Sequence, residues 1–316
     1  MAFSEGNNQT VVNEFILIGF SKRPDLHIFL CVVFLFIYLT SLLGNTGIIF
    51  IVYSHTRFHT PMYFFISNLS FIDLAYSSDI DLKMLAGLFF DQRSISYIGC
   101  AIQLFFFCAL GSTECILLAV MAYDRYVAIC NPLNYTLVMQ KKICLGLMSA
   151  AYTAGVLHSV IETGLTFHLS FCASNVLYHF VCDFPPLLSI SCTDTTVNEI
   201  VLFIFSSSVT IPSTAVILMS YVSISIAIRR ITAREGRQKA FSTCASHITA
   251  VALFYSTVLY VYLSPKSSRD NVNMATIFYT VVLPMLNPMI YSLRNKDFKT
   301  ALKAVSYRQC CHIDLR

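Results

Sequence analysis

Charge is scarce in this sequence. Only 12% of its 316 residues are charged, against about 25% in a typical water-soluble domain. The shortage is concentrated in long runs, which argues against an ordinary soluble domain. Five runs contain no Asp, Glu, Lys or Arg: 28–52, 143–161, 200–228, 240–265 and 271–293.

Two further apolar runs each contain a single acid, Asp73 in 61–78 and Glu114 in 94–123. Each of the seven runs reaches or approaches the roughly 20 residues that cross a bilayer as a helix. Buried helices of a soluble protein are the alternative, but such helices present a polar face, which these runs mostly lack. The sequence therefore predicts an all-α membrane protein, a seven-transmembrane helix bundle.

Basic residues are distributed unevenly along the chain. With the N-terminus outside, most of the 21 lysines and arginines fall in cytoplasmic segments, and the long outer loop 162–199 contains none. Because basic residues are enriched on the cytoplasmic side, we expect the N-terminus outside and the C-terminus inside. The net charge of +4 reflects this bias and does not indicate a nucleic-acid partner.

This orientation defines three regions. We expect an extracellular tail at 1–26, a helix bundle at 27–294 that includes the extracellular loop 162–199, and a cytoplasmic amphipathic helix with its tail at 295–316. In the last region apolar residues share one helical face and lysines lie toward the other, which is typical of a helix on the inner membrane surface.

Two modifications fit this arrangement. Asn8, in Asn-Gln-Thr, is a predicted glycosylation site because it lies in the outer tail. Cys310 and Cys311 lie on the cytoplasmic side, where they are either palmitoylated or unmodified.

Four of the twelve cysteines lie on the predicted outer side, namely Cys100, Cys172, Cys182 and Cys192. In an oxidising compartment they suggest two disulfides, and four cysteines allow three pairings. Their spacing does not choose among these. The pairing Cys100–Cys182 with Cys172–Cys192 would fold the loop back on itself and tie it over the bundle, and we adopt it as the hypothesis.

A metal site is the alternative use of this loop. His179, Cys182 and Asp183 have suitable ligand types, with His168 and Cys172 upstream. A disulfide at Cys182 would remove the thiolate that such a site requires.

Charge returns at the end of the third run. Met-Ala-Tyr-Asp-Arg-Tyr-Val-Ala-Ile-Cys at 121–130 places Asp124 beside Arg125, and charge at the end of a membrane helix tends to mark function. This decapeptide resembles the extended Asp-Arg-Tyr region of olfactory receptors, a family of rhodopsin-like G-protein-coupled receptors.

Three other segments resemble motifs of the same family. They are Phe-His-Thr-Pro-Met-Tyr-Phe-Phe at 58–65, Lys-Ala-Phe-Ser-Thr-Cys-Ala-Ser-His at 239–247 and Pro-Met-Leu-Asn-Pro-Met-Ile-Tyr-Ser-Leu-Arg-Asn at 284–295. The resemblance covers nearly the whole chain, and the four motifs together are highly specific.

The resemblance implies roles in G-protein coupling. Asp124 would hold Arg125 at rest, Arg125 would face the G protein when active, and two tyrosines would swing inward on activation. The alternatives are a charged anchor pair at the membrane edge and a proline kink that does not switch. The residues concerned are Asp124, Arg125, Tyr126, Tyr221, Asn287, Pro288 and Tyr291.

Polar residues inside the spans suggest an ion site. The resemblance implies that Asn45, Asp73, Glu114 and Asn287 converge at mid-bundle. Two buried acids repel each other, so either one is protonated or a cation lies between them. We expect an allosteric Na⁺ at Asp73 and Glu114 that favours the resting state, and no other cofactor.

The resemblance also implies a ligand pocket in the outer half of the bundle. Helical spacing places the candidates from each span on one face, and helix–helix packing is the alternative role for each. The candidates are Phe107, Cys108, Gly111, Ser112, Phe205, Ser206, Val209, Tyr255, Val258, Leu259, Tyr262, Thr276, Ile277 and Thr280.

This lining is apolar, with a few hydroxyl groups and no charge. Phe107 occupies the place where amine receptors carry an aspartate, and Val281 the place where opsins carry the retinal lysine. A small, neutral, mostly apolar volatile molecule fits such a lining, oriented by one or two hydrogen bonds.

The chain departs from the family pattern near the outer end of span two. Leu82 stands where olfactory receptors usually have a proline, which puts the helix kink there in question. Asp79 and Asp81 add charge at the same place.

Two other classes of function compete with a receptor. Transporters often show inverted repeats and paired broken helices, and a membrane enzyme would need a metal set, a nucleophile elbow or a phosphate-binding loop. The sequence contains none of these. We therefore predict an odorant receptor in the plasma membrane, not an enzyme, which contacts membrane lipids and activates a stimulatory olfactory-type G protein to raise cAMP.

Overall fold

A computed structural model describes residues 12–19, 27–90, 92–172, 174–230, 234–263, 275–292, 298 and 300. Its helices in chain order are α1 His27–Ser54, α2 Pro61–Phe90, α3 Tyr97–Cys130, α4 Tyr135–Val138, α5 Lys141–Phe167, α6 Phe184–Ser189, α7 Thr196–Arg230, α8 Arg234–Leu263 and α9 Leu283–Ser292. A π-helix at Phe278–Val282 leads into α9, and the strands are β1 Glu14–Leu17, β2 Ser94–Ser96 and β3 Val176–Leu177.

Seven of these helical segments form the predicted bundle. By length and composition α1, α3, α5 and α7 can each cross a membrane, and α8 and the last span contain shorter apolar stretches, Cys244–Tyr260 and Ala275–Tyr291. The remaining span, α2, is long but carries three acids and a lysine. The prediction of an all-α seven-helix bundle is confirmed.

The third span lies at the centre of the bundle. It packs against α2, α5, α7 and α8, whereas α1 and α7 expose large apolar side chains such as Phe203 to the surroundings. Gly155 of α5 allows a close approach to α3, because a Cβ there would lie 2.5 Å from the carbonyl oxygen of Ala109 in α3. The exposed apolar faces of the outer helices are those that lipid would cover.

Two helix boundaries differ from those that the sequence predicted. The hydroxyl of Ser96 accepts a hydrogen bond from the amide of Gly99 at 3.0 Å, so α3 begins at Tyr97 rather than at 94. At the other boundary, α5 continues past 161 to Phe167, so that Glu162 lies inside the helix and not in the loop that the sequence placed at 162–199. No proline interrupts this stretch of α5.

A small sheet covers the outer end of the bundle. Its strand order is β2-β1-β3, with β1 antiparallel to β2 and parallel to β3. The side chain of Phe15 in β1 is buried, and its ring lies 6.0 Å from that of Tyr97 and 5.4 Å from that of Phe171. The sequence did not predict that the N-terminal tail would supply a strand.

Two disulfides fix the loop between α5 and α7. They are Cys100–Cys182 and Cys172–Cys192, the pairing adopted above. The side chain of Gln103 adds a polar link, since its Nε2 donates to the carbonyl of Asp79 and its Oε1 accepts from the amide of Cys182, both at 3.0 Å. The disulfides consume the thiols that the alternative metal site would need.

Two titratable groups are buried in this loop. Burial lowers the pKa of His179 from 6.5 to about 4 and raises the pKa of Asp183 from 3.8 to about 6, although the amide of Phe184 hydrogen-bonds to the Asp183 carboxyl group. At a pH near 5 the folded loop therefore holds its proton on Asp183, whereas the unfolded loop holds it on His179.

These shifts have opposite effects on stability. The pKa of His179 is lower in the folded state, so its contribution falls as the pH drops from 6.5 to 4. The pKa of Asp183 is higher in the folded state, so its contribution falls as the pH rises from 3.8 to 6. The two changes in stability with pH cancel over most of this window, because the folded and unfolded states bind the same total number of protons.

We predict that variants lacking one of the two groups will show the pH dependence of stability that the other group contributes. Relative to the wild type, Asp183→Asn should gain stability as the pH rises from 4 to 6.5, and His179→Asn should lose stability as the pH rises from 4 to 6. The measurement is the melting temperature of the purified protein across this range. Parallel curves for the wild type and both variants would show that neither group is buried as described.

Candidate functional site

The Asp124–Arg125 pair lies at the inner end of α3. The carboxylate of Asp124 is buried, and its Oδ2 lies 3.9 Å from Nε of Arg125. The hydroxyl of Tyr135 in α4 donates to the other carboxylate oxygen of Asp124 at 2.9 Å. Asp124 is thus held from two sides, and the neighbouring Tyr126 is half-buried.

A cluster around His247 lies next to this pair. Nδ1 of His247 in α8 is hydrogen-bonded to the hydroxyl of Tyr221 in α7, and its ring lies 6.5 Å from that of Tyr291 in α9. Arg125 interacts electrostatically with all three side chains. Three helices and the arginine therefore meet at one buried point on the inner side.

Asp73 interacts with two of the three other residues that were predicted to converge at mid-bundle. Asn287, which precedes Pro288 of α9, donates from Nδ2 to both carboxylate oxygens of Asp73 at 3.1 Å. Asp73 and Glu114 are both buried and interact electrostatically. Asn45 donates to the carbonyl of Pro284 at 3.0 Å.

The donor set suits a hard cation. Among the described residues, Oδ1 of Asn45 and Oδ1 of Asn287 are buried without a hydrogen-bond partner. Amide and carboxylate oxygens are the ligand types that a hard cation prefers. Within the described part of the chain, no group of three or more His, Cys, Asp and Glu side chains could hold a metal ion, so such a site would depend on the amide oxygens.

The span-three candidates for the ligand pocket face several neighbours. Phe107 packs its ring 6.2 Å from that of Tyr279, and Cys108 is buried. Gly111 faces α2, because a Cβ there would lie 2.6 Å from the hydroxyl of Tyr76. Ser112 is buried, and its hydroxyl is hydrogen-bonded to Nδ1 of His158 in α5 at 2.6 Å.

The other pocket candidates lie in α7, α8 and the last span. Val209, Tyr255 and Val258 belong to one apolar cluster with residues of α3, whereas Leu259 is 47% exposed. In the last span the three candidates Thr276, Ile277 and Thr280 are buried. The hydroxyl of Thr280 donates to the carbonyl of Thr276, one turn earlier. Phe205 and Ser206 are half-buried.

Several predicted features lie outside the described residues. These are the glycosylation site Asn8, the side chain of Tyr262, and the tail beyond residue 300 with Cys310 and Cys311. Phe298 of the predicted amphipathic helix is described, and its ring lies 5.8 Å from that of Phe58.

Sequence reasoning missed three buried titratable residues. His158 and His247 lie in runs that we treated as free of charge because histidine was counted as neutral, and Glu162 was assigned to the loop. A signal was available, since an ionisable residue inside a membrane span is a candidate functional residue by default.

The fold matches a known class of membrane protein. The structure superimposes on the crystal structure of squid rhodopsin with a TM-score of 0.70 and 17% sequence identity, covering 92% of this chain and 88% of that one. The chain therefore has the seven-helix fold of that structure.

The sequence comparisons identify the family. The profile of the olfactory receptor family matches residues 34–308. The chain is 50% identical to olfactory receptor 5AR1 of Mus musculus over 94% of this chain and 96% of that protein, and 48% identical to olfactory receptor 5AP2 of Homo sapiens over 96% of each. The chain belongs to the olfactory receptor family.

Membership settles the general function. The protein is a multi-pass plasma-membrane receptor and not an enzyme, with an odorant as its ligand and a G protein as its partner.

The cluster around His247 makes a testable prediction. Tyr221→Phe removes the hydroxyl and leaves Nδ1 of buried His247 without that partner, which should lower the free energy of unfolding by about 1–3 kcal/mol. Tyr123→Phe is the matched control, because Tyr123 is 40% exposed. Denaturant unfolding in detergent measures both, and equal stabilities would contradict the predicted role of this hydrogen bond.

Proposed function

We propose that this receptor binds a small, neutral, mostly apolar volatile molecule in the outer half of its bundle and activates a stimulatory olfactory-type G protein, which raises cAMP. The N-terminal tail at 1–26 would be outside and the region 295–316 would lie against the inner membrane surface. The observation that carries the ligand class is the uncharged lining of the predicted pocket.

Several features of this lining support a neutral ligand. Phe107, Tyr255 and Ile277 contribute buried apolar surface, and Thr276 and Thr280 contribute hydroxyl groups. The hydroxyl of Thr280 already donates to a backbone carbonyl, so it has a lone pair left to accept a hydrogen bond. A cationic ligand would find no carboxylate among the candidate residues, and burying an unpaired charge is costly.

The inner end of the bundle supports coupling to a G protein. Arg125 interacts electrostatically with Tyr221, Tyr291 and His247 on three different helices, and it lies beside Asp124. A shift of any of these helices would change the surroundings of the arginine. Such a cluster is the kind of two-state element by which a receptor responds to a ligand.

We predict that Arg125→Ala abolishes the ligand-dependent cAMP response. The assay uses cells that co-express the receptor, a trafficking chaperone and the olfactory stimulatory G protein, and screens a panel of volatile molecules. Surface expression is measured in parallel, and Lys142→Ala, which removes an exposed cytoplasmic charge, serves as the control.

Loss of the response in a surface-expressed Arg125→Ala, with the control active, is the expected result. A full response in Arg125→Ala would contradict the proposed coupling.

We propose in addition that Na⁺ binds at Asp73 and Glu114 and favours the resting state. The two amide oxygens without partners, on Asn45 and Asn287, support this proposal, as does the electrostatic interaction between the two buried acids. The bound ion would offset the repulsion between two carboxylates.

Glu114→Ala should remove the sodium sensitivity of signalling. The measurement is the basal and ligand-stimulated cAMP level while Na⁺ is replaced by a large organic cation at constant ionic strength. Glu199→Ala loses the same charge at an exposed position and should keep the wild-type sensitivity. Unchanged sodium sensitivity in Glu114→Ala would argue against the ion site.

A further inference from the structure

A small cavity of about 50 Å³ lies at the outer end of the bundle, where α1, α2, β1 and the loop before β2 meet. It shares no residue with the candidates for the odorant pocket. A water molecule needs about 10–15 Å³ by this measure, so the cavity has room for roughly three to five groups of that size.

The lining of this cavity combines basic and apolar side chains. Lys83, Arg93 and His27 line it, and no Asp or Glu is among its described lining residues. Met84 and Leu88 of α2 contribute apolar surface. A cleft whose charged groups have one sign concentrates ions of the other sign, so the lining favours an anion over a cation.

The ammonium group of Lys83 is fixed beside the cavity by the loop before β2. Its Nζ donates to the carbonyl of Gln92 at 3.1 Å and to that of Ser94 at 2.6 Å. An ammonium group has three donors, so one N–H remains after these two bonds. Neither partner is a carboxylate, and the positive charge is therefore held in position without being neutralised.

The acids of α2 do not supply a counter-charge. Asp81 precedes Lys83 by two residues, and residues at that spacing on a helix do not face each other. Both carboxylate oxygens of Asp81 and Oδ2 of Asp79 are buried without a hydrogen-bond partner among the described residues, and neither acid lines the cavity. A half-buried ammonium group without a counter-ion favours the binding of an anion.

The cavity also joins two helices to the outer cover of the bundle, which consists of the sheet β1–β3 and the loop between α5 and α7. Leu17 of β1 and Phe180 of that loop line it. The amide of Leu17 donates to the carbonyl of Arg93 at 2.9 Å, and Cys182, two residues after Phe180, forms the disulfide to α3. A ligand in the cavity would therefore contact α1, α2 and the cover at once.

Size and lining distinguish among small anions. Chloride would match the charge of Lys83 but has no apolar part for Met84 and Leu88. Phosphate presents oxygen atoms on every side, so some of them would lie against apolar walls without hydrogen bonds, which is costly. A carboxylate that carries one methyl group has a charged end and an apolar end, and its few atoms suit the volume.

We propose that this cavity binds a small carboxylate ion of the size of acetate, whose charge pairs with Lys83 and whose methyl group lies against Met84 and Leu88. The bound ion would hold the outer cover on α1 and α2 and so stabilise the folded receptor. The site is separate from the predicted odorant pocket. The inference rests on the proposed function only in placing this face outside the cell.

Thermal unfolding of the purified full receptor tests the site. Sodium gluconate is replaced stepwise by sodium acetate, so that ionic strength and Na⁺ stay constant, and acetamide is the neutral ligand of the same shape. At about ten times its dissociation constant, acetate would shift the folding equilibrium about elevenfold. The melting temperature should then rise by about 2–5 °C, and acetamide should leave it unchanged.

A charge variant assigns the effect to Lys83. Lys83→Gln removes the positive charge but keeps N–H donors for the carbonyls of Gln92 and Ser94, so the rise with acetate should disappear. Lys142→Gln is the matched control, because it removes an exposed lysine on the cytoplasmic side, and it should keep the wild-type rise. This control also reports any general effect of acetate on stability.

A second variant keeps the test decisive if Lys83→Gln does not fold. Gly87→Leu adds bulk to the cavity wall, where a Cβ would meet only the carbonyl oxygen of Gln92 at 3.8 Å, and should abolish the rise with Lys83 intact. Gly47→Leu adds the same bulk on α1, where a Cβ would meet nothing within 4 Å, and should respond to acetate as the wild type does.

Four results would overturn the proposal. The absence of any rise with acetate would show that the cavity binds only water, and an equal rise with acetamide would show that charge is not recognised. A rise of the same size in Lys83→Gln would place the acetate elsewhere. An equal or larger rise with chloride would assign the cavity to a simple halide ion.

The failure of this site and the failure of the proposed function are distinguishable, because thermal unfolding needs neither an odorant nor a G protein. A receptor that does not raise cAMP but shows a rise with acetate that depends on Lys83 would support this site and contradict only the proposed function.

Discussion

Polar side chains inside apolar helices are the constraint on which this bundle depends. Lipid offers them no hydrogen bond, so any partner must come from within the protein. Asp73 pairs with Asn287 across α2 and α9, and Ser112 pairs with His158 across α3 and α5. Such contacts align helices whose apolar surfaces alone would pack in several ways.

The third span carries most of this organisation. Its residues meet α2 at Phe107, where the carbonyl accepts from Tyr76 at 2.9 Å, and meet α5 where the hydroxyl of Ser159 donates to Phe105 at 2.6 Å. At its outer end the disulfide from Cys100 anchors the loop, and at its inner end Asp124 is held by Arg125 and α4. A ligand that moves this helix would therefore act on both ends of the receptor.

Much of the architecture could be predicted because its signals are local. Runs without charge indicate spans by length alone, and the Asp-Arg-Tyr segment indicates the receptor class because its residues are consecutive. The strand Glu14–Leu17 could not be predicted, since four residues near a terminus show no distinctive period and their partners in β2 and β3 are distant in the sequence. The continuation of α5 through Glu162 was missed because an acid was taken as the end of a span, although a partner lies one turn earlier in His158.

The sequence by itself determined the class of protein, the order of its spans and the apolar character of the predicted pocket, because hydropathy and consecutive motifs do not depend on distant contacts. Only the tertiary structure decided which polar residues meet. His158, Glu162 and Ser112 are separated along the chain and come together where α3 crosses α5, and His247 gains its role from Tyr221 and Tyr291 on two other helices. Those pairings depend on how each helix is rotated about its axis, which packing against its neighbours sets.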